Sequence, residues 1–251
     1  MKTVYRALVT GSSRGIGLAV AKNLLERGIS VFGIARTTPV DLIKHAKYEH
    51  FNIDLADLPR LERALKTPQI IEKYRDIDVA FLNAGVFGPS PRTANRIDLQ
   101  DFLSVLHTNT VSNKLLLDSI IEHASPSRIL VSSSISGMRQ RQGMAAYAVS
   151  KAALIALIKT YALENKNIFF ANLGLCNVRT QLAEIILQPS EGLTELLLLK
   201  ERATQKDYLA SPADRADQMI SIMMGAHRDR IASGDFIEIR QLFNPRGISQ
   251  S

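Results

Sequence analysis

The chain reads Thr10-Gly11-Ser12-Ser13-Arg14-Gly15-Ile16-Gly17-Leu18 between its first apolar run and a helical pattern. Three glycines in this stretch let the backbone turn sharply and approach an anionic group, because no Cβ stands in the way. The helix that begins there offers unpaired N–H groups and the positive end of its dipole. The stretch therefore predicts a phosphate-binding turn, with a tight turn that binds nothing as the alternative. A Gly-Lys-Ser/Thr sequence is missing, which argues against a nucleoside-triphosphate enzyme.

On both sides of this turn, short apolar runs rich in β-branched residues alternate with longer helical patterns. Continuous apolar strands separated by helices are typical of a parallel sheet buried on both faces. The predicted strands are 7–10, 31–35, 48–53, 79–83, 128–133, 168–173 and 235–239, and the predicted helices are 16–27, 58–65, 99–123, 145–164 and 213–227. Right-handed crossovers then give an α/β fold with a doubly wound, Rossmann-like parallel sheet in three layers, α/β/α. The segment 42–49 is too short for a crossover helix and a strand, so we expect a trimmed edge there.

Composition narrows the class of protein. The 251 residues suit a single domain over 1–251, and 46% hydrophobic with 22% charged residues is ordinary globular composition. The single cysteine, Cys176, excludes an internal disulfide framework and a cysteine-rich zinc site, and the five histidines lack metal-ligand spacing, so we expect no metal. No apolar run approaches the ~20 residues that cross a bilayer. We therefore expect a cytoplasmic protein without a signal peptide or a membrane span.

The positive charge is the one unusual property: 31 Lys+Arg against 24 Asp+Glu give +7. Nucleic acid, acidic partners and phosphate-bearing ligands would each explain such an excess. We expect no nucleic-acid binding, because the chain has no basic helix, aromatic-interleaved patch or recognised motif. An acidic carrier protein that delivers substrates stays open, as does a merely solvated basic surface.

The second predicted strand ends Gly33-Ile34-Ala35-Arg36-Thr37, with no acidic residue. Enzymes that use NAD place an Asp or Glu there for the ribose 2′-hydroxyl, and a carboxylate would repel a 2′-phosphate. Arg36 and Arg14 could bind that phosphate through charge-assisted hydrogen bonds. The sequence thus favours NADP over NAD, with two solvated arginines as the alternative.

Further motifs follow in order along the chain, and with the glycine turn they resemble those of the short-chain dehydrogenase/reductase family over almost its whole length. They are Asp54-Leu55, Asn83-Ala84-Gly85, Asn109, Ser134 and Tyr147-Ala148-Val149-Ser150-Lys151. The resemblance implies an oxidoreductase that moves a hydride between a nicotinamide and a carbonyl/alcohol substrate. It implies the catalytic residues Asn109, Ser134, Tyr147 and Lys151. The implied cofactor-binding residues are Gly11, Ser13, Arg14, Gly15, Ile16, Gly17, Arg36, Asp54, Leu55, Asn83, Ala84, Gly85, Tyr147, Lys151, Val178 and Thr180.

The chemistry of Tyr147 and Lys151 agrees with this assignment. Four residues apart, they share one helix face. A phenol with a pKa near ~10 is a poor acid–base catalyst, and a nearby ammonium with an oxidised nicotinamide favours phenolate. Tyr147 then donates or accepts the proton while the hydride moves, and Ser134 holds the substrate oxygen. The resemblance gives Lys151 a contact to the nicotinamide ribose and gives Asn109 a water that relays protons.

Two stretches depart from the family. Leu175-Cys176 stands in place of Pro-Gly, so that a side chain at 176 could crowd the nicotinamide; a cysteine of this kind is more often a small buried hydrophobe. This departure supports the alternative function, a dinucleotide-binding regulatory or cofactor-sensing protein without turnover. Arg240-Gln241-Leu242 replaces Asp-Gly-Gly near the end of the chain. We therefore expect a homo-oligomer, and the sequence favours a homodimer through the helices that carry Asn109 and Tyr147 over a tetramer.

Two features bear on the substrate. The resemblance makes about 181–209 a substrate lid, and its apolar stretch 193–199 suggests either a hydrophobic substrate or packing against the body. Arg139 and Arg141 lie between Ser134 and Tyr147, where they could favour an acidic substrate or remain solvated.

Overall fold

A single parallel sheet forms the centre of the computed structural model, which describes residues 5–124, 126–188 and 192–243. Its strands are β1 Arg6–Thr10, β2 Ser30–Ala35, β3 Tyr48–Asn52, β4 Val79–Leu82, β5 Arg128–Ser133, β6 Phe169–Gly174 and β7 Phe236–Glu238. They lie in the order β3-β2-β1-β4-β5-β6-β7. The sequence order reverses between β1 and β4. At such a switch point the two halves of the chain leave the sheet in opposite directions, which opens a cleft at the carboxyl ends of the strands.

Helices cover both faces of the sheet, so the predicted three-layer α/β/α fold is confirmed. They are α1 Gly15–Glu26, α2 Leu58–Leu65, α3 Pro68–Arg75, α4 Leu99–Leu106, α5 Ser112–His123, α6 Ala145–Glu164, α7 Gln181–Ile186, α8 Thr194–Arg202, α9 Pro212–Met223 and α10 Ile239–Phe243. Helices α1 and α9 pack on one face, and α2, α3, α5 and α6 pack on the other.

Strands β1 to β6 supply side chains to both cores by alternation, whereas β7 contributes Ile237 on the α1–α9 side. In β1, Val9 points to the α1–α9 side while its neighbour Leu8 points to the opposite side, and both are fully buried. This two-sided burial explains why the strands read as continuous apolar runs. Between β2 and β3 the chain makes only turns, so the trimmed edge predicted for 42–49 is confirmed.

The helix predicted for 99–123 has those bounds, and a π-helical turn at His107–Val111 divides it into α4 and α5. Other predicted boundaries were wrong. The strand predicted for 235–239 is shorter, because Ile239 already begins α10. Helices α3, α7, α8 and α10 were not predicted individually.

Within the described residues, α6 alone is long and apolar enough to cross a membrane by length and composition. A buried core helix meets the same criterion, and Leu154, Ile158 and Ala162 of α6 are buried against the sheet.

Candidate active site

The glycine turn joins β1 to α1 at the switch point. Gly11 and Gly15 have left-handed backbones, with φ of +68° and +55°, a conformation that glycine adopts without steric cost. A Cβ on Gly17 would lie 2.2 Å from the carbonyl oxygen of Gly11, so only glycine fits there. Helix α1 begins without a side-chain cap at Arg14 and without an acidic residue in its first turn. Its first N–H groups are therefore available to an anion, which fits a bound phosphate.

A cavity of about 730 Å³ runs from this turn across the carboxyl ends of the strands to α6. It brings together Ser134, Tyr147, Lys151 and nearly all the predicted cofactor-binding residues. Those lining it are Gly11, Ser13, Arg14, Gly15, Ile16, Arg36, Asp54, Leu55, Asn83, Ala84, Gly85, Val178 and Thr180. Gly17 and Asn109 do not line the cavity.

Tyr147 and Lys151 enter the cavity from the first turns of α6, and Ser134 directly follows β5. Burial raises the pKa of the Tyr147 phenol, and a hydrogen bond with Ser134 opposes that rise. The Nζ of Lys151 lies 5.7 Å from the centroid of the Tyr147 ring and donates to the Ser132 carbonyl over 2.7 Å. Burial lowers the pKa of Lys151 to about 8. Burial therefore raises the pKa of the Tyr147 phenol by more than the Lys151 ammonium is expected to lower it.

Asn109 lies in the π-helical turn and is fully buried. Its Oδ1 accepts from the Val86 N–H over 2.8 Å, and its Nδ2 donates to the Val86 carbonyl over 2.8 Å and to the Ser150 hydroxyl over 2.9 Å. The side chain thus fastens the loop after β4 to helix α6. Its main-chain carbonyl accepts from Asn113 over 2.9 Å. The predicted water relay at Asn109 stays a prediction, and the visible contacts are those of a positioning residue.

The two arginines considered for a 2′-phosphate have different partners. Arg36 lies 3.7 Å from Asp54, and both side chains are about half exposed. Arg14 donates to Gln181 of α7, while the hydroxyl of its neighbour Ser13 accepts from Thr37 over 3.0 Å. Arg36 therefore lies at the end of β2, where the ribose of a dinucleotide would bind. Arg14 instead contacts Gln181, in the part of the cavity wall formed by α7.

Cys176 takes up a left-handed backbone with φ +59°, as a glycine would at that position. Its sulfur lies 3.7 Å from the Gly174 carbonyl and 3.6 Å from Glu238 Oε1, so the thiol contacts β7. Burial is the largest effect on the thiol and raises its pKa, which disfavours the reactive thiolate. Two residues further along, Val178 pairs with Ala210, and the Thr180 hydroxyl caps α7.

Apolar side chains from the segment 181–209 cover Tyr147. Leu193 and Leu196, both buried, pack with Phe87 and Met144 around the phenol ring. Gly143 permits this approach, because a Cβ there would lie 2.7 Å from Leu193 Cδ1. Packing of the run 193–199 against the body was one of the two alternatives left by the sequence, and Leu193 and Leu196 pack in this way; the sequence did not indicate that they contact Tyr147.

Comparison with known proteins agrees with this geometry. The model of the protein family described as "short chain dehydrogenase" matches residues 5–188 of this chain. A 3beta-hydroxysteroid dehydrogenase from Mediterraneibacter gnavus is 29% identical over 240 residues, which cover 83% of this chain and 84% of that protein. An alcohol dehydrogenase from Thermococcus sibiricus, solved with 5-hydroxy-NADP, superposes with a TM-score of 0.74 at 20% identity and covers 94% of this chain and 96% of its own. A 4-hydroxyisoleucine dehydrogenase solved with NADH gives 0.77 at 21% identity, covering 93% and 96%. The chain therefore belongs to the short-chain dehydrogenase family.

Proposed function

We propose that the protein is an NADP(H)-dependent oxidoreductase that reduces a carbonyl, or oxidises the corresponding alcohol, with Tyr147 as general acid and base. One observation carries the proposal: Ser134, Tyr147 and Lys151 line the same cavity as the glycine turn. Membership of a family of dehydrogenases supports the oxidoreductase class.

The residues of the cavity fit a nicotinamide dinucleotide. The uncapped start of α1 and the left-handed glycines suit its diphosphate, and Asp54 and Leu55 suit its adenine end. Asn83, Ala84, Val178 and Thr180 would hold the remainder. When bound, the dinucleotide would supply or accept the hydride.

The chain's own residues move the proton. In the reducing direction, Tyr147 donates its phenolic proton to the substrate oxygen, and its raised pKa keeps that proton in place beforehand. Ser134 holds the same oxygen through its hydroxyl. Lys151, fixed by the Ser132 carbonyl, stabilises the phenolate that remains. Asn109 holds the loop after β4 and helix α6 together beside these groups through its hydrogen bonds to Val86 and Ser150.

The proposed role of Lys151 predicts a pH dependence. Its pKa of about 8 means that the ammonium is present below pH 8 and lost above it. Carbonyl reduction requires that positive charge, so kcat/KM should be level below about pH 8 and fall above it. A pH–rate profile at saturating NADPH measures this, with NADPH affinity followed over the same range as the control. A reduction rate that rises through pH 8 to 9.5 would contradict the role.

NADP preference is proposed from Arg36, whose partial exposure beside Asp54 leaves its guanidinium accessible to a 2′-phosphate. We expect NADPH to be used with a kcat/KM about 10–100-fold above that of NADH. Arg36→Ala should remove most of that preference, and Arg60→Ala, an exposed arginine outside the cavity, should preserve it. Equal use of both cofactors by the unmodified chain would overturn the preference.

The same assay, run with a broad panel of carbonyl compounds, tests the oxidoreductase itself. Consumption of NADPH with at least one carbonyl supports it. Tight binding of NADPH with no turnover of any carbonyl would favour the alternative function, a dinucleotide-binding regulatory or cofactor-sensing protein.

Three further expectations remain proposals. The segment 181–209 acts as the substrate lid, which its packing on Tyr147 supports. The free thiol of Cys176 suits a reducing compartment such as the cytoplasm. A homodimer through the helices that carry Asn109 and Tyr147 is supported by the exposed apolar side chains of Leu99, Val149 and Leu163, and light scattering of the purified chain would measure its mass.

A further inference from the structure

Seven arginines line the cavity that holds Ser134 and Tyr147, among them Arg139, Arg141 and Arg202. Arg139 and Arg141 lie in the loop between β5 and α6, whereas Arg202 ends α8. Two elements that are distant in sequence thus bring positive charge to the lid side of one cavity.

Carboxylates do not pair with these three arginines as they do with two others in the cavity. Arg36 and Arg240 are paired with Asp54 and Glu238. In the part of the chain that the structure describes, no carboxylate oxygen lies within 4.0 Å of a nitrogen of the three arginines.

The charges of Arg139 and Arg202 both act on Arg141. Arg141 is half-buried, and desolvation, followed by the charges of Arg139 and Arg202, lowers the pKa of its guanidinium. Glu195 and Tyr208 oppose this without forming an ion pair. Arg141, partly desolvated and repelled by the exposed Arg139 and Arg202, would be stabilised by an anion bound beside it.

The segment 181–209 also brings apolar side chains to the cavity, alongside the polar Gln181 and Glu184. Leu182, Ile186, Leu187 and Leu199 line it, and Met144 lies beside Tyr147. A ligand that reaches from Tyr147 toward the arginines would therefore meet hydrocarbon along the way.

We propose that the substrate is an amphipathic carbonyl compound whose carboxylate or phosphate binds Arg139, Arg141 and Arg202, and whose apolar chain joins this anion to the reacting carbonyl at Tyr147. The inference rests on the proposed function, because it takes Tyr147 as the place of reaction. Planar guanidinium groups bind both anions through paired, charge-assisted hydrogen bonds. A hydroxyl or amide at the same end of the substrate would leave the repulsion unrelieved.

The test compares oxo acids of increasing chain length, with the carbonyl remote from the carboxylate, against their methyl esters and against matched oxoalkyl phosphates. We expect one anionic series to exceed the esters about 10–100-fold in kcat/KM. Each of Arg139→Gln, Arg141→Gln and Arg202→Gln should lower that ratio, and the triple variant should bring it close to one. Comparing the acid with the phosphate identifies the anion.

Lys200→Gln is the matched control, because it removes one positive charge from the same helix outside the cavity and should keep the ratio. A ratio near one in the unmodified chain would overturn the inference while leaving the oxidoreductase intact. So would a rise in the KM for NADPH, rather than for the oxo acid, in the arginine variants. A preference for a carrier-protein thioester over the free oxo acid would overturn it as well.

A binding measurement keeps the inference testable if no carbonyl is turned over, in which case the proposed function fails by itself. Octanoate and octanamide are titrated calorimetrically into the chain in the presence of NADP. Octanoate should bind at least about tenfold more tightly, and the triple variant should lose that difference. Equal binding of the two compounds would overturn the anion site.

Discussion

Replacing Tyr147 with phenylalanine is expected to lower kcat for carbonyl reduction by about 10²–10⁴-fold. The substitution removes the phenolic proton and retains the ring, whose centroid lies 5.5 Å from that of Phe87 within the apolar cluster around the lid. Packing and NADPH affinity should therefore change little. Single-turnover reduction of a carbonyl substrate, with NADPH binding followed by fluorescence, measures both quantities.

Tyr161→Phe provides the matched control on the same helix. Its hydroxyl donates to Asp118 on α5, outside the cavity, so the same chemical change there should leave kcat unaltered. Unchanged turnover in Tyr147→Phe would remove Tyr147 from the mechanism. A comparable loss of turnover in both variants would point to disturbance of α6 instead.

Gly17→Ala is expected to have the largest effect on stability. The added Cβ would lie 2.2 Å from the Gly11 carbonyl oxygen and 2.9 Å from Asn83 Nδ2, and the first of these atoms belongs to the backbone. The turn must shift, which costs about 1–3 kcal/mol for overpacking. At this size each kcal/mol lowers Tm by about 2–4 °C. The same shift displaces Gly11 and should weaken NADPH binding strongly.

Gly85→Ala separates steric conflict from the general cost of adding a methyl group near the site. Its Cβ would lie 3.4 Å from Asn109 Oδ1 and 3.5 Å from Lys151 Nζ, which is close to ordinary contact. We expect a Tm close to that of the unmodified chain. Thermal unfolding of the two variants side by side makes the comparison, and equal losses would show that the close approach at Gly17 is not the cause.

The sequence was sufficient to predict all seven strands, because turn signals bound them and five of them, all but β3 and β7, are buried along nearly their whole length. It was insufficient for helix α3, whose charged surface obscures its periodicity. Thr67 followed by Pro68 at the first helical position was the available start signal. The π-helical turn at His107–Val111 could not be predicted from the sequence either, because no glycine or proline interrupts the helical pattern there.

Within the site, the sequence predicts most of the residues that line the cavity but not their hydrogen-bond partners. Asn109 and Lys151 are fixed by the carbonyls of Val86 and Ser132, and backbone atoms carry no sequence signal. The leucine run of the lid had no periodicity to show that Leu196 is buried while Leu197 and Leu198 are exposed. Contacts between distant segments decide these details.

Helix α6 is apolar on most of its sides, and those sides contact different parts of the molecule. Tyr147 and Lys151 line the cavity, while Leu154 and Ile158 anchor the helix against the sheet. Rotation by a single residue position, about 100°, would carry the phenol out of the cavity and the core side chains out of the sheet interface at once. Packing of Leu154 and Ile158 on the sheet therefore fixes the direction in which Tyr147 and Lys151 point.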